Sequence, residues 1–143
     1  LQAALAPAAG AEVAADDAAE LRRISLALGG AVIVQKGAHD LLSDGISVLC
    51  NEEPGSVKRS GGQGDVLAGS IATFLGWARA AQLGGPTPPE PSPPLLAAYA
   101  GCLLTRRFSA AAFAKHRRAM TAPDLVAEIG PCFEEFSPAI ETE

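Results

Sequence analysis

Hydrophobic and polar positions along the chain predict an alternation of helices and short strands. Residues 16–28 carry apolar side chains at helical spacing with acids in the first turn, and Gly29 and Gly30 end the segment. The β-branched run AVIVQKG that follows is typical of a buried strand of a parallel sheet. The next stretch, DLLSDGISVLCN, predicts a hairpin with its turn at residues 43–45.

The second part of the chain is mainly helical by the same criteria. A polar, glycine-rich loop at residues 52–64 precedes a stretch that is apolar on all sides, from Asp65 to about residue 83. This stretch predicts a buried helix, with Phe74, Leu75 and Trp77 in the core. A proline-rich loop at residues 85–94 then leads to helices predicted at residues 94–116 and 121–136. The last helix begins with Thr121 as its N-cap, followed by a proline and an acid in the first turn.

This order of elements predicts an α/β architecture in which helices pack on a sheet. Only about three strands are visible, whereas sheets usually contain about five or six. We therefore expect that an N-terminal half of the fold is missing from this chain. The start has no initiator methionine and no basic region, which favours a missing front and excludes a signal peptide.

Composition narrows the class of protein further. A length of 143 residues suits one domain, and a net charge of −5 argues against a general nucleic-acid binder. No apolar run approaches the roughly 20 residues of a membrane span. Cys50, Cys102 and Cys132 are odd in number and widely spaced, which indicates a reduced, intracellular protein without a disulfide or a metal site.

The stretch KRSGGQGDVLAG, at residues 58–69, carries the clearest chemistry. Glycines before a helix expose backbone N–H groups at its positive end, which forms a pocket for an anion such as phosphate. A carboxylate would repel bound phosphate, so Asp65 makes better sense as a base that deprotonates an attacking hydroxyl. The alternative is a tight turn of Gly61, Gly62 and Gly64, with Asp65 capping the helix. The spacing fits neither a Walker loop nor a dinucleotide-binding turn.

A second candidate segment comprises residues 36–40, with the sequence KGAHD. It follows the predicted strand, at the sheet edge where α/β proteins bind ligands. There Lys36 would meet a nucleotide phosphate and Asp40 would orient a polar group. The alternative is a solvent-exposed corner, and we expect His39 to be exposed in either case.

Basic residues elsewhere have simpler explanations. We expect Arg106 and Arg107 to cap or solvate their helix, with an ion pair near the nucleotide as the alternative. His116 belongs to a basic cluster, residues 115–118, that suits a helix C-terminus or approaches a cofactor phosphate.

Four stretches together resemble the eukaryotic ATP-dependent (S)-NAD(P)H-hydrate dehydratases of the ribokinase-like superfamily: VIVQKGAHDLLSDG, GSVKRSGGQGDVLAGS, SPPLLAAYAGCLLTRRF and FAKHRRAMTAPDLVAEIG. G-G-x-G-D alone marks the superfamily, whereas G-G-Q-G-D after K-R, with Q-K-G upstream and L-T-R downstream, is more specific. The similarity runs over residues 17–136, roughly the C-terminal half of a family member. Two departures are Ser60, where several relatives have cysteine, and a longer, stiffer proline-rich stretch.

The resemblance implies a ribokinase-like three-layer α/β/α fold, of which residues 1–143 form the C-terminal part of a single domain. It implies that ATP phosphorylates the C6 hydroxyl of the S epimer of hydrated NADH or NADPH. Loss of phosphate then restores NAD(P)H, with ADP and phosphate as by-products and Mg²⁺ neutralising the phosphates. Asp65 would contact the hydrated nicotinamide and act as the base. The implied ATP-binding residues are Lys36, Gly37, Ala38, His39, Asp40, Gly55, Ser56, Val57, Lys58, Arg59, Ser60, Gly61, Gly62, Gln63 and Gly64.

Two other functions stay open at this point. A vitamin or sugar kinase of the same superfamily would use the same anion pocket and base, and fold and motif alone do not separate it from a dehydratase. A non-catalytic nucleotide-binding fragment is the third interpretation. The sequence also leaves open a cytoplasmic or mitochondrial location, NADH or NADPH hydrate as substrate, and a monomer or a homo-oligomer.

Overall fold

The structure is a computed structural model that describes residues 15–82 and 91–136. It shows an α/β arrangement of a small three-stranded sheet and helices. In chain order the elements are α1 (Ala15–Ala27), β1 (Ile33–Gln35), β2 (Asp40–Ser43), β3 (Val48–Asn51), α2 (Gln63–Gln82), α3 (Pro93–His116), a 3₁₀ turn (Arg117–Ala119), α4 (Ala122–Ala127) and α5 (Ile129–Phe136).

The sheet has the order β1-β2-β3, and both pairings are antiparallel. The predicted hairpin is confirmed as β2 and β3, and its turn includes Gly45 at φ +90°. The expectation that AVIVQKG forms a strand of a parallel sheet is wrong for the described residues, because β1 pairs antiparallel with β2. Only residues 36–39 join these two strands, whereas a parallel pair needs a crossover of about a dozen residues or more.

The longest helix, α3, forms the centre of the core. Most of its length is buried, including Leu95, Leu104 and Phe108, and it packs against α2, the sheet and the C-terminal helices. A Cβ added at Gly101 would lie 2.5 Å from Cγ1 of Ile71, so the glycine permits α2 and α3 to approach closely. Helix α3 begins with two prolines, and at these first-turn positions the missing N–H group would have no acceptor within the helix.

The prediction that α2 is buried on all sides is wrong in this structure. Phe74 is buried, but Leu75 and Trp77 are 39% and 47% exposed. Trp77 stacks edge-to-face with both Phe74 and Phe133 beside an open apolar groove of ≈ 440 Å³. An apolar pattern identifies the faces that can be buried, and the described residues cover only one face of this helix.

The C-terminal segment predicted as one helix over residues 121–136 is two helices, α4 and α5, separated at Glu128. Pro131 explains the break, since it has no N–H for the carbonyl of Ala127 and its ring clashes with that group. The predicted start is confirmed: Asp124 accepts hydrogen bonds from the N–H and the hydroxyl of Thr121 at 2.7 and 2.8 Å. Of the predicted proline-rich loop, residues 85–90 lie outside the described residues.

Candidate functional site

The glycine junction lies where the loop enters α2, which begins at Gln63, two residues earlier than the apolar pattern predicts. Gly62 has φ +88°, a conformation that favours glycine, and a Cβ there would lie 2.8 Å from Cβ of Ala122. Gly61 and Gly64 have neither feature. Neither has a positive φ, and a Cβ added at either position would meet no described atom within 4 Å. Gly62 is therefore required by the fold, whereas Gly61 and Gly64 leave their backbone open to an external group.

Four backbone N–H groups at this junction remain free within the described part of the chain. The N–H groups of Asp65 and Val66 both donate to the carbonyl of Gly62, at 3.1 Å. No described acceptor takes those of residues 61–64, which precede or begin the helix. Unpaired N–H groups at a positive helix end are what a bound anion requires, so this geometry is compatible with the predicted anion site, which stays a prediction.

The loop before the junction is held by its own side chains. The Gln63 amide donates to the carbonyl of Lys58 at 3.2 Å and to Oγ of Ser60 at 3.0 Å. Ser56 also donates to the Lys58 carbonyl, at 2.9 Å. The ammonium of Lys58 in turn donates to the carbonyl of Arg118 at 2.6 Å. These bonds fix the approach of the chain to α2, whereas Val57 points outward and is 89% exposed.

Asp65 is the third residue of α2, and its side chain is exposed. Its carboxylate forms no hydrogen bond or ion pair with any residue in the described ranges. The side chain is consequently available to accept a proton from a ligand held at the neighbouring N–H groups. The alternative capping role is not seen within the described residues, because Asp65 lies inside α2 and its carboxylate accepts no backbone N–H there.

The second predicted segment, residues 36–40, is built around a buried aspartate. Asp40 is fully buried as the first residue of β2, and its carboxylate pairs with Arg106 at 2.7 Å and with Lys36 at 2.5 Å. Asn51 and the N–H of Gly37 approach it at 3.4 Å. Burial alone would raise the pKa of Asp40, but the hydrogen bonds and charges of Arg106 and Lys36 outweigh it and hold that pKa below its ordinary value. Ala38 and His39 are exposed, the latter as predicted.

For Arg106 the first expectation, that it caps or solvates its helix, is wrong, and the alternative of an ion pair is what the structure has. Only 15% of its side chain is exposed, and it pairs with Asp40. Arg107 also forms an ion pair, with Glu53 at 3.1 Å. The available signal was the combination of an acid in one predicted nucleotide segment with an arginine inside an otherwise apolar helix.

Residues 37–40 and Glu53 both contact α3, whereas the glycine junction lies further along the loop that follows Glu53. Arg106 touches both residues 37–40 and Glu53, while Gly62 lies against α4. No hydrogen bond or ion pair within the described ranges joins residues 36–40 directly to residues 61–65. The basic cluster at residues 115–118 occupies the C-terminus of α3, as the charge pattern predicts.

The donor set fits a polyphosphate better than a metal ion bound by protein alone. Free N–H groups at the start of a helix suit phosphate oxygens. Within residues 15–82 and 91–136, no group of three or more His, Cys, Asp or Glu side chains is placed to hold a metal ion.

The three cysteines are unpaired thiols, and burial raises the pKa of Cys102 to about 11. Across the same ranges, no helix combines the length and apolar character needed to cross a bilayer.

An α/β chain whose free N–H groups precede an exposed carboxylate at the start of a helix can be compared with known proteins. The profile of the family described as NAD(P)H-hydrate dehydratase matches residues 3–131. Proteins named ATP-dependent (S)-NAD(P)H-hydrate dehydratase are similar: that of Bos taurus is 47% identical over 117 residues, and that of Homo sapiens 44% over 122 residues. The corresponding protein of Neurospora crassa is 45% identical over 137 residues. The chain belongs to the NAD(P)H-hydrate dehydratase family.

The coverage of these matches is asymmetric. They include 80%, 85% and 86% of this chain, but 34%, 34% and 36% of the cattle, human and Neurospora proteins. The chain therefore spans about a third of the length of the relatives that it matches. The family resemblance seen in the four sequence stretches is confirmed.

Proposed function

We propose that this chain is part of an enzyme that uses ATP to dehydrate the S epimer of hydrated NADH or NADPH, restoring NAD(P)H and releasing ADP and phosphate. One observation carries the proposal: an exposed carboxylate with no described partner, Asp65, lies directly after four free backbone N–H groups. The relatives' name supplies the substrate and the use of ATP.

The roles of the residues follow from this geometry. The free N–H groups of residues 61–64 receive the oxygens of the transferring phosphoryl group and stabilise their charge. Asp65 removes the proton from the C6 hydroxyl, whose oxygen attacks phosphorus as the bond to ADP breaks. The C6 carbon–oxygen bond then breaks, phosphate leaves with the bonding electrons, and loss of a ring proton restores the double bond of NAD(P)H.

Mg²⁺ would neutralise the phosphate charge, and we place it on the phosphate oxygens of ATP rather than on a protein cage. Mg²⁺ is commonly held by substrate phosphates with one or two carboxylates and waters. The remaining predicted contacts to ATP come from residues 36–40 and 55–60. Lys36 is the cationic member of the first group, and its side chain is 46% exposed.

We also propose that the chain forms part of a single ribokinase-like domain of three-layer α/β/α architecture. The exposed apolar face of α2, with Leu75 and Trp77, supports this proposal because a further layer would cover it. The unpaired thiols of Cys50, Cys102 and Cys132 support a reducing compartment, cytoplasmic or mitochondrial.

The test uses the complete translated protein with ATP, Mg²⁺ and the S hydrate of NADH, following the near-ultraviolet absorbance of NADH. We expect ATP-dependent recovery, and a fall of about 10²- to 10⁴-fold in rate in Asp65→Asn. Asp17→Asn, which alters an exposed acid in the first turn of α1, is the matched control and should leave the rate unchanged.

Two results would overturn the proposal. One is a folded protein that binds ATP but leaves the hydrate unchanged. The other is a stable phosphorylated product without NADH, which would indicate a small-molecule kinase. An Asp65→Asn rate equal to that of Asp17→Asn would remove Asp65 from the mechanism while keeping the reaction.

A further inference from the structure

The guanidinium of Arg106 occupies a position that the proposed chemistry does not use. It extends from α3 to the buried carboxylate of Asp40 and donates through Nε at 2.8 Å and Nη2 at 2.7 Å. Two parallel bonds to one carboxylate fix both the position and the plane of the arginine. The Lys36 ammonium donates to the same carboxylate, so Asp40 has two cationic partners.

The same guanidinium also contacts the backbone of two separate stretches of chain. Nη2 donates to the carbonyl of Gly37 at 2.8 Å, and Nη1 donates to the carbonyl of Glu53 at 3.2 Å. Gly37 lies inside the predicted ATP-binding segment 36–40, and Glu53 lies two residues before the predicted ATP-binding segment 55–64. A single side chain thus connects the two segments.

A neighbouring residue of α3 extends this connection. Ser109 accepts a hydrogen bond from the N–H of Ser56 at 3.1 Å and donates to the carbonyl of Arg106 at 2.8 Å. A Cβ added at Gly55 would lie 3.4 Å from both Cγ of Arg106 and Oγ of Ser109. The beginning of segment 55–64 therefore rests directly on the surface of α3 that Arg106 and Ser109 form.

We propose that Arg106, assisted by Ser109, is a positioning residue that holds the two ATP-binding segments at a fixed separation and orientation. This inference rests on the proposed nucleotide site. Binding groups on separate loops act together only if their relative position is fixed, and a displacement of about 1 Å can cost about 100-fold in rate. Lysine cannot replace arginine here, because its single ammonium does not reproduce a planar fork that serves a carboxylate and two carbonyls.

The experiment compares Arg106→Lys with Arg107→Lys in the complete translated protein. The control makes the same substitution at the next residue, whose guanidinium pairs with the Glu53 carboxylate. ATP affinity is measured by titration calorimetry, and KM for each substrate and kcat by the NADH assay. We expect Arg106→Lys to weaken ATP binding by ~10- to 100-fold while the KM for the hydrate stays near that of the wild type. Arg107→Lys should bind ATP as the wild type does.

A purely structural role would produce a different pattern. It would lower the unfolding midpoint of Arg106→Lys and leave the ATP affinity of the folded fraction unchanged, which would overturn the inference. If Arg106→Lys does not fold, Ser109→Ala decides, since it removes a smaller group and should still weaken ATP binding more than hydrate binding. Unchanged ATP affinity in Ser109→Ala would then overturn the inference.

The affinity measurement also separates this inference from the proposed reaction. A wild-type protein that binds ATP without converting the hydrate would contradict the proposed dehydration, whereas the comparison of Arg106→Lys with Arg107→Lys would still give its answer. A wild-type protein that does not bind ATP would contradict both.

Discussion

Two aspartates lie in the two segments that the sequence assigns to nucleotide binding, and their surroundings are opposite. Asp40 is fully buried and its carboxylate is engaged by Arg106, Lys36 and weaker donors. Asp65 is exposed and has no partner within the described residues. A carboxylate whose oxygens are occupied by cations organises the fold, while an unengaged one remains accessible to a ligand. Residue type therefore suggests chemistry, and the surroundings decide which aspartate performs it.

The glycines of the junction show the same division. Gly62 has a positive φ and lies against Ala122, so the fold itself requires it. Gly64 is in the first turn of α2 with open space where a side chain would be. A glycine that the fold does not need, beside free N–H groups, is best explained by a ligand that approaches the backbone closely.

The largest effect should come from Asp40→Asn. An amide cannot neutralise Arg106, which is largely buried, and removal of one partner from a buried ion pair typically costs about 3–5 kcal/mol of unfolding free energy. Urea denaturation of both aspartate variants tests the comparison directly. Asp65→Asn should unfold near the wild-type midpoint. Equal losses in the two variants would contradict the division of roles.

The same carboxylate predicts how stability depends on pH. The pKa of Asp40 is lowered in the folded protein, so its contribution is complete above the unfolded-state pKa and is lost as pH falls through the folded one. Since the ordinary pKa of aspartate is about 3.9, the stability difference between wild type and Asp40→Asn should be constant near neutrality and shrink below about pH 4. Urea midpoints measured across this range give the difference. A difference that grows on acidification would contradict the assignment.

Gly62→Ala should have the next largest effect on stability. An L-residue at positive φ costs roughly 1–2 kcal/mol, and the added methyl would also lie 2.8 Å from Ala122 unless one of them moves. Thermal unfolding of the variant measures this cost. A melting temperature equal to that of the wild type would show that the turn adopts another conformation.

The sequence alone could not show which residues the fold requires and which are left open to a ligand. Helix positions and the hairpin followed from periodicity and turn residues, as in α1, α3 and the β2–β3 pair. The pairing of β1 and the exposure of Trp77 depend on which elements pack together, and local patterns do not contain that information. An ion pair of Arg106 was only an alternative, and its partner could not be named from the sequence, because Asp40 is 66 positions away. The glycine junction could be singled out because its residues are contiguous in the sequence, and its role in binding stays a prediction.

Gly64→Ala sharpens the comparison of the glycines, because stability and binding should change in opposite directions. Alanine in place of glycine within a helix contributes about 0.5–1 kcal/mol, and nothing described lies within 4 Å of the new methyl. The variant should be at least as stable as the wild type but bind ATP more weakly. Calorimetric titration with ATP beside thermal unfolding tests both. Unchanged ATP affinity would mean that the open space above Gly64 does not face the nucleotide.

The smallest change in stability should come from Lys36→Met. Its ammonium pairs with Asp40, yet its side chain is 46% exposed, and Asp40 would retain the bidentate contact of Arg106. Partly exposed ion pairs contribute about 0–1 kcal/mol, so the urea midpoint should shift far less than in Asp40→Asn. If the exposed part of Lys36 also meets a phosphate of ATP, ATP affinity should fall even though the fold persists. Lys36 would then contribute both to the fold and to ATP binding. A large stability loss with normal ATP binding would instead show that Lys36 serves only the buried ion pair with Asp40.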